Sequence, residues 1–157
     1  MNLLYRFEGD LTETIPIGLV PEGVRLDVAF TAQLVDGPLA GAELRGIDYL
    51  LLRSDGVGVI DAYEVVTGKS GTHISAHAQG YIVPPEGMQL PPPNVLLSPD
   101  FRWPDIPLPL HGFVMYRTGD GALAWLNRTA AAFEGSVNVG TRRIEVTARS
   151  LVGTPAS

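Results

Sequence analysis

No apolar run in this chain continues for long before a Gly or a Pro stops it. The 157 residues include 18 Gly and 13 Pro, and they recur as punctuation between short apolar stretches. That rhythm suits hairpins and excludes long helices. The predicted strands are 3–11, 24–34, 43–53, 57–67, 71–83, 110–116, 122–133 and 136–151, the last with a turn at Gly140-Thr141. Pro16, Gly18, Pro21 and Gly23 are expected to break the segment after the first strand. Ser54-Asp55-Gly56 gives a three-residue loop with Gly last, the chemistry of a type I turn closed by a left-handed bulge residue. The alanines of 122–133 also fit a short helix. Neither end of that segment shows a clear cap, however, and its neighbours read as strands. With about eight strands and no βαβ alternation, the expected class is all-β, a closed antiparallel barrel.

The stretch 84–109 breaks the pattern. It contains Pro84, Pro85, Pro91, Pro92, Pro93, Pro99, Pro104, Pro107 and Pro109, too many for an internal strand. It also carries Phe101, Trp103 and Ile106, so it is expected to act as a lid or a subunit-contact arm rather than a linker.

One domain over 1–157 is expected from the length, which suffices to bury a core without a covalent staple. There is no Cys, which removes disulfides, thiolate nucleophiles and Cys-ligated metal. A cytoplasmic location is the default expectation for such a chain. Eleven basic against seventeen acidic residues give a net charge of −6. That sign disfavours nucleic acid and anionic membranes as partners. The first residues lack the basic and apolar regions of a signal peptide, and no uncharged apolar run reaches about 18 residues. Asn127-Arg128-Thr129 matches a glycosylation sequon and is read as a chance match.

The chemical inventory is small. Of the three histidines, His73 and His77 are four apart, which in a strand separates them by about 13 Å. No metal site and no cofactor are therefore expected, and no phosphate-binding loop or nucleophile elbow is present. The hairpin and the strand after it are more informative. A three-residue loop at 54–56 sets Arg53 opposite Val57, Tyr49 opposite Asp61 and Ile47 opposite Tyr63. A second three-residue turn at 68–70 would set Asp61 opposite His77 and Tyr63 opposite Ser75. Tyr49, Arg53, Asp61, Tyr63, Ser75 and His77 then share one face. A carboxylate beside an imidazole raises its basicity, as a general base requires, and Tyr or Arg can polarise a carbonyl. Whether that face meets a cavity or solvent stays open, because a one-residue register change reverses the partners and the polar face of a strand is ordinarily the wet one. Trp125, Asn127 and Arg128 form a second group, an aromatic wall with an amide. Glu43, Arg45 and Asp48 are expected as surface charges.

Asp48-Tyr49 ahead of Arg53-Ser54-Asp55-Gly56, then Ile60-Asp61, Gly71, Gly80 and Ala124-Trp125-Leu126-Asn127-Arg128, resemble the microbial proteins grouped as domain of unknown function 3237 (DUF3237, also called UPF0311). The resemblance spans about 3–151. It implies a closed β-barrel similar to the allene oxide cyclase and dirigent barrels, often oligomeric, with a cavity in its mouth. Arg53, Asp55, Gly56, Asp61, Gly71, Trp125, Leu126 and Asn127 stand where the family has the same residue types. Tyr63 stands where an Arg is common and Ser70 where an Asp is usual, which makes an anionic substrate group less expected.

The leading expectation is a cofactor-independent enzyme that moves protons on a mostly apolar, carbonyl-containing metabolite, as an isomerase, cyclase or lyase. Asp61 with His77 would be the base, Arg53, Tyr49, Tyr63 or Asn127 the donors, and Trp125 a packing surface. The alternative is a non-catalytic barrel that binds an apolar ligand. A homo-oligomer, dimer or trimer, is expected in either case.

Overall fold

Apolar side chains fall at every second position along the strands, and that period of two buries one face of each. In the segment Gly58–Thr67, residues 58, 60, 62, 64 and 66 are buried and the odd-numbered residues are not. The computed structural model describes residues 2–151, so positions 1 and 152–157 of the expected domain lie outside the described residues. The strands are β1 (Leu3–Val20), β2 (Gly23–Asp36), β3 (Glu43–Leu52), β4 (Gly58–Thr67), β5 (His73–Ile82), β6 (Leu108–Thr118), β7 (Ala130–Asn138) and β8 (Arg143–Ser150). Each pairs antiparallel with the next, and β8 pairs with β1 to close the barrel.

Three expected strand boundaries are corrected, one of them the break expected between 133 and 136, through which β7 runs from Ala130 to Asn138. β1 does not end near Leu11 but runs through Pro16 to Val20. Its ladder with β8 ends at Asp10↔Arg143, with one last bond from Leu11 N–H to Arg142 O at 3.0 Å, and beyond Leu11 its strand partner is β2. A Pro is tolerated on such an edge, and a bulge between Pro16 and Gly18 absorbs the irregularity. Residues 122–133 do not form one strand. Gly121–Arg128 is a 3₁₀ segment, kinked at Leu123, and β7 starts only at Ala130. The cap that the sequence hid is Asp120, inside the preceding turn, whose side chain accepts the Ala122 N–H at 2.8 Å.

The first hairpin has the expected register. Arg53 N–H donates to Val57 O at 2.9 Å and Ile47 pairs with Tyr63, with Gly56 in the left-handed region at φ +87°. The second hairpin differs. Its loop spans 68–72, closed by Gly68 N–H to Thr72 O, so Tyr63 pairs with His77 and Asp61 with Gln79. The shift is two residues, and an even shift keeps every side chain on its expected face.

Alternate loops gather at opposite ends. At the floor, the 3₁₀ segment drops Leu126, fully buried, into the core. At the mouth, the connection 83–107 contains one helical turn, α1 (Pro93–Leu96), and packs Met88, Leu90, Phe101 and Trp103 against the core. Phe101 and Trp103 meet edge to face with ring centres 5.3 Å apart.

Candidate functional site

The barrel encloses a cavity lined by Leu26, Val28, Phe30, Leu50 and Ile60 on its walls and by Pro84, Met88, Leu90 and Trp103 of the 83–107 connection at its mouth. The space open to water centres is ≈ 110 Å³, several times what one water needs. Besides Thr14 of β1, three polar side chains interrupt the apolar lining: Tyr5, Asp48 and Glu64.

Strand parity puts them there. In β3 the even residues Leu44, Leu50 and Leu52 are buried, and Asp48 lies on that same side. In β4, Glu64 sits between Ala62 and Val66 and is only 5 % exposed. Asp48 pairs with Ala62 and Gly46 with Glu64, so the two carboxyls are diagonal neighbours on the inner face of one hairpin. Gly46 is what lets Glu64 lie there. A Cβ at position 46 would stand 3.0 Å from Glu64 Cγ and 2.8 Å from Phe30 Cζ. Behind this pair the hydroxyls of Tyr5 and Tyr116 hydrogen-bond at 2.9 Å, with their rings edge to face. Tyr116 is 1 % exposed.

The electrostatics follow from burial. Glu64 is pushed up to about 8, first by desolvation and then by the negative charge of Asp48. Asp48 is pushed up to about 7, again chiefly by desolvation. The Asp61 backbone N–H, donating to Asp48 Oδ1 at 2.9 Å, pulls the other way. That bond falls in the gap of the β3–β4 ladder between Asp48↔Ala62 and Leu51↔Val59, across which the register is unchanged. Burial also raises both tyrosines. No protein hydrogen bond reaches the Glu64 carboxyl among the described residues, and its neighbouring space is the cavity. Burial thus favours the protonated form of both carboxyls, of Glu64 more than of Asp48, the separation of roles that acid–base chemistry uses.

The residues expected from the sequence do come together, but on the other side of the sheet. His77 Nε2–H donates to Asp61 Oδ1 at 2.7 Å, and the His77 ring stacks on Tyr63 with centroids 4.2 Å apart. Tyr49 meets the edge of Tyr63 and carries Arg25 over its face. None of these four lines the cavity; Asp61 and His77 side chains are 44 % and 33 % exposed on the outer wall. Arg53 is exposed at the hairpin loop, paired with Asp55 there. Ser75 is exposed as well. The face that the sequence left open is the outer one, because the apolar residues of β3 and β4 hold the even positions and the cluster holds the odd ones. Trp125 packs partly buried at the floor. Asn127 is exposed, its amide accepting from Thr118 N–H and donating to Thr118 O, both at 2.9 Å. It fastens the 3₁₀ segment to β6, and neither residue lines the cavity. Asp48, expected at the surface, is the residue that turns inward. Glu64 and the two tyrosines were missed; the available signal was a polar residue at the apolar parity of a strand.

The family model described as "Protein of unknown function (DUF3237)" matches residues 1–150. A search of curated proteins finds no match. Among solved structures, a protein with unknown function from Clostridium acetobutylicum superposes with a TM-score of 0.74 at 14% identity, covering 96% of this chain and 98% of that one. A conserved protein of unknown function from Rhodopseudomonas palustris gives 0.68 at 14% identity, covering 95% of each chain. A beta-barrel like protein from Acinetobacter baumannii gives 0.66 at 19% identity, covering 95% of this chain and 93% of that one. At these identities the likeness concerns the fold alone. Among the described residues no helix is long and apolar enough to cross a membrane.

Proposed function

The chain belongs to the DUF3237 family, and from that premise we propose that its barrel is a cofactor-independent enzyme moving a proton on a small, mostly apolar carbonyl compound. The observation that carries this reading is the pair of inward carboxyls, Asp48 and Glu64, in a mostly apolar cavity covered at its mouth by the 83–107 connection. The apolar walls hold the carbon skeleton and exclude water, which strengthens every polar contact inside. Asp48, in its ionised form, takes a proton from the carbon next to the carbonyl. As negative charge grows on the carbonyl oxygen, protonated Glu64 donates a hydrogen bond to it. Tyr5, itself accepting from Tyr116, donates a second. Asp48 then returns its proton to a different carbon, which gives an isomer and restores both carboxyls.

A second reading is a binding barrel without catalysis. The apolar walls favour it, and so does the outward position of Asp61, Tyr63 and His77. One experiment separates the two. Apolar ketones and aldehydes are screened by thermal shift, where a ligand at a hundred times its dissociation constant adds about 2.7 kcal/mol, and each binder is then incubated in D2O. The enzyme reading expects deuterium to enter the carbon beside the carbonyl, and Asp48→Asn to abolish that while binding persists. Binding with no exchange by the wild-type protein would establish the carrier.

A further inference from the structure

The lumen is charged in one sense only. Two carboxyls, Asp48 and Glu64, line it, and among the described residues no Lys, Arg or His does. A buried carboxyl ordinarily meets a cation or several N–H donors. Asp48 has one such donor, the Asp61 N–H on Oδ1, which leaves its second oxygen free. Glu64 is only 5 % exposed, has no hydrogen-bond partner among the described residues and borders the cavity. The charged groups that act on this pair from elsewhere are Asp61 of β4 and Asp27 and Arg25 of β2. Arg25 is already paired with Asp27 and lies over Tyr49 on the outer wall. Tyr5 of β1 and Tyr116 of β6 complete the titratable groups around Glu64. The cation that would balance these carboxyls is not supplied by the chain.

We propose that the cavity binds small lipophilic amines in their ammonium form, with Glu64 as the counter-ion and Asp48 as a second acceptor. The inference rests on the reading above only in taking this cavity as the ligand site, and it needs no catalytic step. An alkylammonium brings what the lumen lacks, a positive charge and three N–H donors. Asp48 and Glu64 are diagonal neighbours across β3 and β4, a spacing of about 7–8 Å that lets two carboxyls reach one nitrogen between them. Tyr5 supplies a third acceptor. In its 2.9 Å bond with Tyr116 either hydroxyl can be the donor. When Tyr116 donates, Tyr5 is free to donate to a carbonyl oxygen; when Tyr5 donates, its oxygen is free to accept from an ammonium. Phe7, Phe30, Phe133 and Trp103, which also line the cavity, hold the apolar body of the ligand. Charge balance then sets the pH dependence. Burial favours the protonated carboxyls, whereas an alkylamine of the lysine kind keeps its proton to about pH 10. An arriving ammonium therefore displaces protons from the carboxyls, and its affinity rises with pH.

Isothermal titration calorimetry of the full chain with cyclohexylamine and, separately, with cyclohexanone tests this, because the two probes share one carbon ring. Cyclohexylamine should bind with release of protons, read from the dependence of the heat on the ionisation enthalpy of the buffer. Its affinity should rise between about pH 6 and pH 8, by up to about tenfold per unit for each proton released. The affinity of cyclohexanone should not rise with pH. Glu64→Gln keeps the side-chain size and can still donate to a carbonyl, so it should spare the ketone. It removes the counter-ion, and should weaken cyclohexylamine by roughly tenfold or more at pH 8. Far-UV circular dichroism checks that the variant folds. Amine affinity that is flat with pH, or equal in Glu64→Gln and wild type, would overturn the proposal. Binding of the ketone without the amine would overturn it too, and would leave the carbonyl reading standing. Binding of the amine without the ketone would support it and count against that reading, and binding of neither would count against both.

Discussion

The hydroxyls of Tyr5 and Tyr116 meet 2.9 Å apart between β1 and β6, two strands that are not neighbours in the sheet. The contact therefore spans the lumen and ties opposite walls together beside the cavity. Tyr5 borders the cavity, whereas Tyr116 does not. Tyr5→Phe should thus cost about 1–3 kcal/mol, because it leaves the Tyr116 hydroxyl buried without a partner. The double variant Tyr5→Phe/Tyr116→Phe should cost less than the two single changes added together. Urea denaturation of the four proteins of this cycle measures the difference, and simple additivity would contradict a coupled pair.

Glu64 makes stability depend on pH in a direction opposite to that of a salt-bridged carboxylate. The unfolded chain releases this proton near the ordinary value of 4.5, while the folded barrel keeps it to about 8. Between those values the folded form binds more protons, so this group's contribution to stability falls as pH rises, by up to about 1.4 kcal/mol per pH unit. Below the lower value it has no effect, and above the upper one the full penalty is in place. Glu64→Gln should therefore be more stable than wild type at pH 8 by a few kcal/mol, with the gap closing toward pH 4.5. Melting temperatures of both proteins across that range provide the check, and a gap that is constant with pH would count against a protonated Glu64.

The barrel was legible because its signals are local. Turn chemistry at Ser54-Asp55-Gly56 set the first hairpin's register, and the strict alternation of β4 and β5 survived a loop two residues longer than expected. The misplaced ends have local causes too. Pro16 reads as a stop unless its strand is known to lack a second partner there, and the helical alternative for 122–133 won because its cap, Asp120, lies in the turn before it. The site was harder to see. Asp61, His77 and Tyr63 drew notice as chemistry-bearing residues gathered on one face, yet a barrel's polar face is normally its outside. Asp48 and Glu64 stand among leucines, alanines and valines, where each reads as an isolated charge. Only closure of the sheet brings them beside two tyrosines from β1 and β6, and no spacing along the chain announces that.

Gly46 offers a way to perturb Glu64 without touching its chemistry. A methyl group at this position would press on Phe30 Cζ and Glu64 Cγ from 2.8 and 3.0 Å, and Phe30 is itself core. Gly46→Ala should destabilise the barrel by about 1–3 kcal/mol, the usual cost of overpacking. It should also weaken binding of any ligand whose carbonyl meets Glu64. The variant's ligand-induced thermal shift, compared with that of wild type, reads both effects; an unchanged melting temperature and an unchanged shift would mean that Glu64 does not need the space.

Asp61 separates backbone from side chain. Its N–H holds Asp48 inside the barrel at 2.9 Å, while its carboxylate holds His77 outside at 2.7 Å. Asp61→Asn alters only the outer of these two bonds. Because that pair is substantially exposed, stability should change by less than about 1 kcal/mol, and Asp48 should titrate somewhat lower, since the negative charge of Asp61 is one of the causes that raise it. Asp48→Asn replaces one of those carboxyls at the cavity and should abolish any deuterium exchange into bound carbonyl compounds. Measuring exchange rates for both variants against a common ligand decides which side of the sheet carries the chemistry. Loss of exchange in Asp61→Asn with retention in Asp48→Asn would move it back to the outer wall.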